Sequence, residues 1–200
     1  MTRNNIIFLL DPGHGGVIDG KPQTAGKRSP DWEKGILYEG VSNRDLVERI
    51  LKLCKKDCIT AINLVPELID VSLAERVRRA NKYKNAIYIS IHSDAFHKES
   101  ANGFSAYTYY GQTKSDKVAE LIYKEAKKAK LNLRVDNTDG DLDKEADFYV
   151  LRNTKMPAVL VENLFMTNKK DYATLNDEKG RDKLAKITFN AIKQISTYGI

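Results

Sequence analysis

Three apolar stretches of this chain each lead to a polar side chain that can hold a ligand or move a proton. Residues 6–10 pass through Asp11-Pro12-Gly13 to His14, residues 86–91 end on His92, and Ala158-Val159-Leu160-Val161 ends on Glu162. The chain has only three histidines, and two of them stand in this kind of place. Ligands of open α/β sheets bind beyond the carboxyl ends of the strands. If the three stretches are parallel neighbours, their terminal side chains converge on one rim. Imidazole and carboxylate are zinc donors, and a catalytic zinc takes three protein ligands and keeps a fourth position open. A carboxylate directly after Val-Leu-Val is expensive to bury unless it is paired or metal-bound. The plain alternative for Glu162 is an ion pair with an arginine such as Arg152. His97, in a polar loop after Asp94, reads as exposed.

Two histidines leave a third ligand to be found. Glu39 follows a long loop and precedes a helix, where it can equally complement the positive end of the helix dipole. Spacing does not choose among Glu39, Glu33 and Asp94. The glycines flanking His14 leave room for something to approach, or serve only the turn. Cys54 and Cys58 lie four apart in a helical pattern and share a face. They read as reduced, buried thiols, not a disulfide, which disfavours a cysteine hydrolase built on Cys54. The run Asp136-Asn137-Thr138-Asp139-Gly140-Asp141 invites a calcium-loop reading, but its aspartates miss the required offsets from Gly140.

The elements that must position these residues follow from periodicity. All-apolar runs at 6–10, 86–91 and 158–161 predict strands covered on both faces. Further strands are expected at 59–65 and 103–110. Val47, Ile50, Leu51 and Cys54 mark one face of a helix over 42–56. Ser72 and Glu75 predict a capping box opening a helix to Tyr83. Helices are also expected around 118–129, with a lysine-rich outer face, and around 184–195. Residues 17–38 and 132–147 read as loops, the first long enough to be functional. Strands alternating with helices predict an α/β sheet covered on both sides.

Length and charge narrow the classes. The 200 residues suit one domain. A composition of 42% hydrophobic and 30% charged is not that of a disordered chain. The apolar runs are too short for a membrane span or a signal-peptide core. The net charge of +6 favours anionic partners. Basic residues interleaved with aromatics are missing, which disfavours nucleic acid.

The order Asp11-Pro12-Gly13-His14-Gly15-Gly16, Glu39 with Asn43 four on, Ser90-Ile91-His92, and Pro157-Ala158-Val159-Leu160-Val161-Glu162 resembles the zinc-dependent N-acetylmuramoyl-L-alanine amidases. These are the autolysins, sporulation amidases and phage endolysins of the bacterial cell wall. Val71-Ser72-Leu73-Ala74-Glu75-Arg76 to Ala80-Asn81, and Phe165-Met166-Thr167-Asn168, extend the likeness over nearly the whole chain. The resemblance implies one catalytic domain over 1–200 around a mixed, mostly parallel six-stranded sheet with helices on both faces; many relatives carry an extra wall-binding domain, and the length of this chain leads us to expect no separate one here. It implies one Zn2+ held by His14, Glu39 and His92, with Glu162 as the catalytic carboxylate. It implies peptidoglycan as substrate, cleaved between muramic acid and L-alanine; the basic charge adds anionic wall polymers as further partners, and the short apolar runs imply no membrane insertion. Ser93-Asp94 departs from the family's usual small residue and asparagine, and residues 136–147 fit its pattern poorly. A peptidase acting on wall peptides and a non-catalytic wall-binding module are the alternatives. With no export signal in view, a phage or prophage lysin made in the cytoplasm is expected over a trimmed exported autolysin.

Overall fold

The computed structural model describes residues 5–138 and 140–200. In chain order the elements are β1 (Ile7–Pro12), β2 (Val17–Ile18), β3 (Lys21–Pro22), α1 (Glu39–Lys56), β4 (Ala61–Asn63), α2 (Leu73–Ala80), β5 (Ala86–Asp94), β6 (Ser105–Thr108), α3 (Lys114–Lys128), β7 (Lys144–Glu145), α4 (Tyr149–Asn153), β8 (Ala158–Phe165), α5 (Lys169–Leu175) and α6 (Glu178–Tyr198). Six strands form one sheet in the order β4-β1-β5-β8-β6-β7. The first four are parallel, β6 runs antiparallel to β8, and β7 parallels β6. This is the α/β sheet expected, with β1, β5 and β8 as adjacent parallel strands at its centre.

The two-residue period of β5 divides the core. Ile87, Ile89 and Ile91 join Phe8, Leu10, Val159 and Val161 under α1, α3 and α6. Ala86 and Tyr88 join Leu9, Ala158 and Leu160 under α2 and α4. A strand buried on both sides has no polar face to show, hence the continuous apolar runs. Continued one step further, the second face reads Leu9-Asp11-Gly13, Tyr88-Ser90-His92 and Ala158-Leu160-Glu162. Apolar core therefore turns into chemistry-bearing residues along one face at one end of the sheet.

Several expectations need correction. α1 starts at Glu39, not Ser42, so Glu39 lies within its first turn. The helix stops at Lys56 as expected, but Cys58 is not a buried thiol on its face: it lies outside the helix, exposed, with φ of 54°. The N–H of Cys58 bonds to Lys55 O and that of Ile59 to Cys54 O, a Schellman closure that needs a left-handed residue at 58. Cys54 is buried, and burial pushes its thiol up to about 12. Ser72 accepts from the Glu75 N–H, but the Glu75 carboxylate pairs with Arg78 and Arg79, leaving half a capping box. The complete box is Thr113 with Asp116, opening α3. Short pairs interrupt both predicted loops, β2 with β3 and β6 with β7. Of the acidic run 136–141, Asp139 lies outside the described residues.

Candidate metal centre

Register brings the strand-end residues together. Pro12 pairs with Ile91 and His92 with Glu162, and the Gly13 N–H bonds to Ile91 O at 2.9 Å. Gly13, His92 and Glu162 thus lie in one row across β1, β5 and β8. A Cβ at Gly13 would stand 2.1 Å from His92 Cε1 and 2.4 Å from Nε2. The glycine's empty side is occupied by the imidazole. The same holds at the neighbouring glycines: a Cβ at Gly15 would meet Gln23 and Asp70, and one at Gly16 would meet Leu68. These glycines serve close intramolecular approach, and the space expected beside them for a ligand is filled by the protein itself.

His14 follows with φ of 65°, a left-handed conformation costing roughly 1–2 kcal/mol for a residue with a Cβ. That backbone turn sends its ring back over the sheet edge. His14 and His92 stand edge-to-face with centroids 5.0 Å apart. The buried Glu39 carboxylate reaches both, at 3.3 Å from His14 Nε2 and 3.1 Å from His92 Nδ1. It also accepts from the Ser93 N–H at 3.3 Å and the Asn43 side-chain amide at 3.5 Å. Burial opposes its ionisation, but the hydrogen bonds and charges of His14 and His92 outweigh this and hold it well below the usual carboxylate range. One donor atom from each of His14, Glu39 and His92 lies within 4.8 Å of the others. Glu33 and Asp94 are not in this group, which is the only such one among the described residues.

Glu162 sits beside His92, partly buried in the cleft wall, and its buried Oε2 has no hydrogen-bond partner among the described residues. Burial, then the charges of Glu39 and Asp94, push its carboxyl well above the usual range, with Lys27 opposing. Arg152, its expected counter-ion, pairs instead with Asp147. His97 is exposed and packs on Phe96. Donors of two imidazoles and one carboxylate, plus an orphaned buried acid next to them, fit a divalent zinc ion with its general base.

A cleft of about 460 Å³ opens from His14, His92 and Glu162 along the sheet face. Lys27, Leu73, Phe148, Tyr149 and Val150 also line it, and Arg76 and Asp11 form part of its base. Arg76 is 2% exposed and pairs with Asp11, which also accepts from Tyr88. Neither Arg76 nor Arg44 was expected near the site. The available signal was that Arg76 falls within the stripe Leu73, Val77, Ala80, where a charged residue is out of place.

A layered α/β domain with a His–Glu–His donor set at the carboxyl edge of its sheet is built like a metal-dependent hydrolase. The family profile for N-acetylmuramoyl-L-alanine amidase matches residues 8–194, and the chain belongs to that family. It is 29% identical over 201 residues to the endolysin of Bacillus phage SPP1, covering 94% of this chain and 65% of that protein. It is 32% identical over 181 residues to the N-acetylmuramoyl-L-alanine amidase LytC of Bacillus subtilis, covering 89% of this chain and 33% of that protein. The chain spans less than two thirds of either relative. The amidase Ami1 of Mycobacterium smegmatis has the same fold, with a TM-score of 0.78 at 21% identity, covering 94% of this chain and 95% of that one.

Proposed function

We propose that this chain is a zinc-dependent N-acetylmuramoyl-L-alanine amidase that hydrolyses the amide between muramic acid and the first stem-peptide residue of peptidoglycan. The observation that carries this reading is the partly buried Glu162, whose buried Oε2 has no partner beside the His14–Glu39–His92 cluster. An ion pair would have absorbed that oxygen, and a binding module has no use for it. His14, Glu39 and His92 would hold one zinc ion, which when bound polarises a carbonyl and makes water acidic enough to attack near neutral pH. Glu162, raised in basicity by its burial, takes the proton from the attacking water and returns it to the departing alanine nitrogen. Glu39 stays ionised throughout and keeps both imidazoles turned toward the shared centre. Asp94, whose charge is felt at Glu162, adds to the basicity of that carboxylate.

The place of action would be the bacterial cell wall. No helix among the described residues is long and apolar enough to cross a membrane. The basic surface would draw the enzyme toward anionic wall polymers by a salt-sensitive attraction. Purified sacculi digested with and without a chelator test the reading. New amino groups on L-alanine, abolished by the chelator, are expected. New reducing ends, or cleavage within the stem peptide, would overturn it. Glu162→Gln should keep one zinc per chain and lose on the order of 10²–10⁴ in rate. It should melt no lower than the parent, because its surroundings disfavour a charged carboxylate and the amide is neutral. Undiminished activity would reassign the base.

A further inference from the structure

We infer that Arg44 and Arg76 are positioning residues for the metal centre, holding His14 by its own backbone carbonyl; this rests on the ligand role proposed for His14. His14 is the one cluster member in a left-handed backbone conformation, so something must keep it there. Its carbonyl accepts from Arg44 Nη1 at 2.8 Å and from Arg76 Nη2 at 3.4 Å. The same Arg44 Nη1 donates to Gly40 O at 2.9 Å. One guanidinium nitrogen thereby ties the carbonyl of His14 to the carbonyl next to Glu39, and these are the two residues whose side chains meet at 3.3 Å. The remaining donors of Arg44, Nε and Nη2, both go to Glu67 O, at 3.2 and 2.6 Å. The loop before α2 anchors the fork from behind.

Every hydrogen bond of Arg44 ends on a main-chain oxygen, and no carboxylate lies within ion-pair distance of it among the described residues. A guanidinium so arranged acts through its fixed geometry more than its charge. Arg76 combines main-chain bonds with ion pairs: Nε holds Val71 O at 2.8 Å, Nη1 holds Pro12 O at 2.8 Å together with the Asp11 carboxylate, and Nη2 lies 3.6 Å from Asp70. The loop has no slack on the other side, since a Cβ on Gly40 would stand 1.9 Å from Gly15 O. Arg44 therefore sets the spacing between the β1 loop and the first turn of α1, while Arg76 fixes the β1 loop against the segment before α2. That spacing is the distance between two of the three donors. A lysine has donors enough for one or two of these carbonyls but lacks the planar fork that spans all three.

The test uses the full chain with Arg44→Ala and Arg44→Lys. Two readouts are taken: zinc affinity by competition with a chromophoric chelator, and, in chelator-stripped protein, the ring-to-ring nuclear Overhauser contact of His14 with His92. Labelling the three histidines isolates that contact. Loss of an outer partner of a metal ligand costs about 10–100-fold in affinity. Arg44→Ala should show that loss and lose the ring contact, and Arg44→Lys should recover only part of each. A folded Arg44→Ala protein with zinc affinity within about twofold of the parent and an intact ring contact would overturn the inference. Should Arg44→Ala fail to fold, Arg44→Lys decides by the same two readouts. Should the parent protein itself take up no zinc, the proposed function falls, and the ring contact in stripped protein alone decides the positioning role.

Discussion

Replacing Gly13 with alanine adds one methyl group, yet the structure assigns it a specific consequence. Gly13 lies outside the left-handed region, so an alanine fits its backbone, and its N–H can keep the bond to Ile91 O. The nearest obstacle is the imidazole of His92, whose Cε1, Nε2 and Nδ1 would lie 2.1, 2.4 and 2.5 Å from the new carbon. Ordinary carbon contacts are about 3.5–4.0 Å, so the ring must retreat by roughly 1.5 Å. A metal ligand tolerates displacement of about 0.2 Å, and a productive constellation about 0.5 Å. The ring cannot satisfy both the methyl and the metal. Overpacking of this kind costs the fold roughly 1–3 kcal/mol, which leaves a folded chain. Gly13→Ala should therefore keep native far-UV circular dichroism and a cooperative melt while losing at least about 100-fold in zinc affinity, an estimate set just beyond the usual cost of losing an outer-shell partner. Metal analysis after desalting and competition with a chelator measure this, with thermal melting in chelator as the control. A folded variant that binds zinc as the parent does would refute the placement of His92 against Gly13, and with it the row of residues from which the site is built.

Gly40→Ala should act on the fold instead, because its Cβ meets the Gly15 carbonyl at 1.9 Å and backbone cannot swing aside; a melting temperature equal to the parent's would contradict this. Asp143→Asn tests the acidic loop. Burial, together with Asp141 and Asp116, raises Asp143 to about 7, so the folded state holds a proton that the unfolded chain releases near pH 4. That stability is complete below pH 4 and lost as the pH rises through about 7, so the variant should melt above the parent at pH 8 and no higher than it at pH 5. Leu73→Ala removes a half-exposed side chain from the cleft wall; about 1 kcal/mol of lost contact should raise KM roughly fivefold with kcat and melting temperature unchanged. An unchanged KM would place the substrate elsewhere.

The fold was legible where burial is two-sided. Residues 86–91 and 158–161 carry no charged residue on either face, and both became central strands between two helical layers. Elements that bury little left little pattern. The pairs Val17–Ile18 with Lys21–Pro22, and Lys144–Glu145 with β6, are two residues long, too short for a period of two to register. The helices Tyr149–Asn153 and Lys169–Leu175 hold five and seven residues, under two turns, and few apolar positions recur. The end of α1 at Lys56 is as expected, but the placing of Cys58 failed for a different reason. Cys58 continued the apolar spacing of α1, but the chain had to reverse there, and the left-handed turn at 58 is invisible to a hydrophobic pattern.

At the site, legibility divides by how each residue is placed. His14, His92 and Glu162 extend strands whose apolar runs announce them, so parallel pairing alone predicts their convergence. Glu39 extends nothing. It lies in the first turn of a helix that hydrophobic period places three residues too late, because the apolar stripe of α1 starts only where the helix leaves the sheet edge. Its selection over Glu33 and Asp94 came from resemblance to a family, and the coordinates supply the physical reason: the first turn of α1 lies against the β1 loop, and the close passage of Gly40 past Gly15 needs a glycine. Glu39-Gly40 is thus one unit, an acid placed where it reaches both imidazoles, followed by the residue that permits the approach. Arg44, one turn on, locks that approach through Gly40 O and His14 O. A short motif of Glu, Gly and Arg at positions 39, 40 and 44 therefore carries more geometry than its apolar neighbours, and does so through main-chain contacts that no side-chain period records.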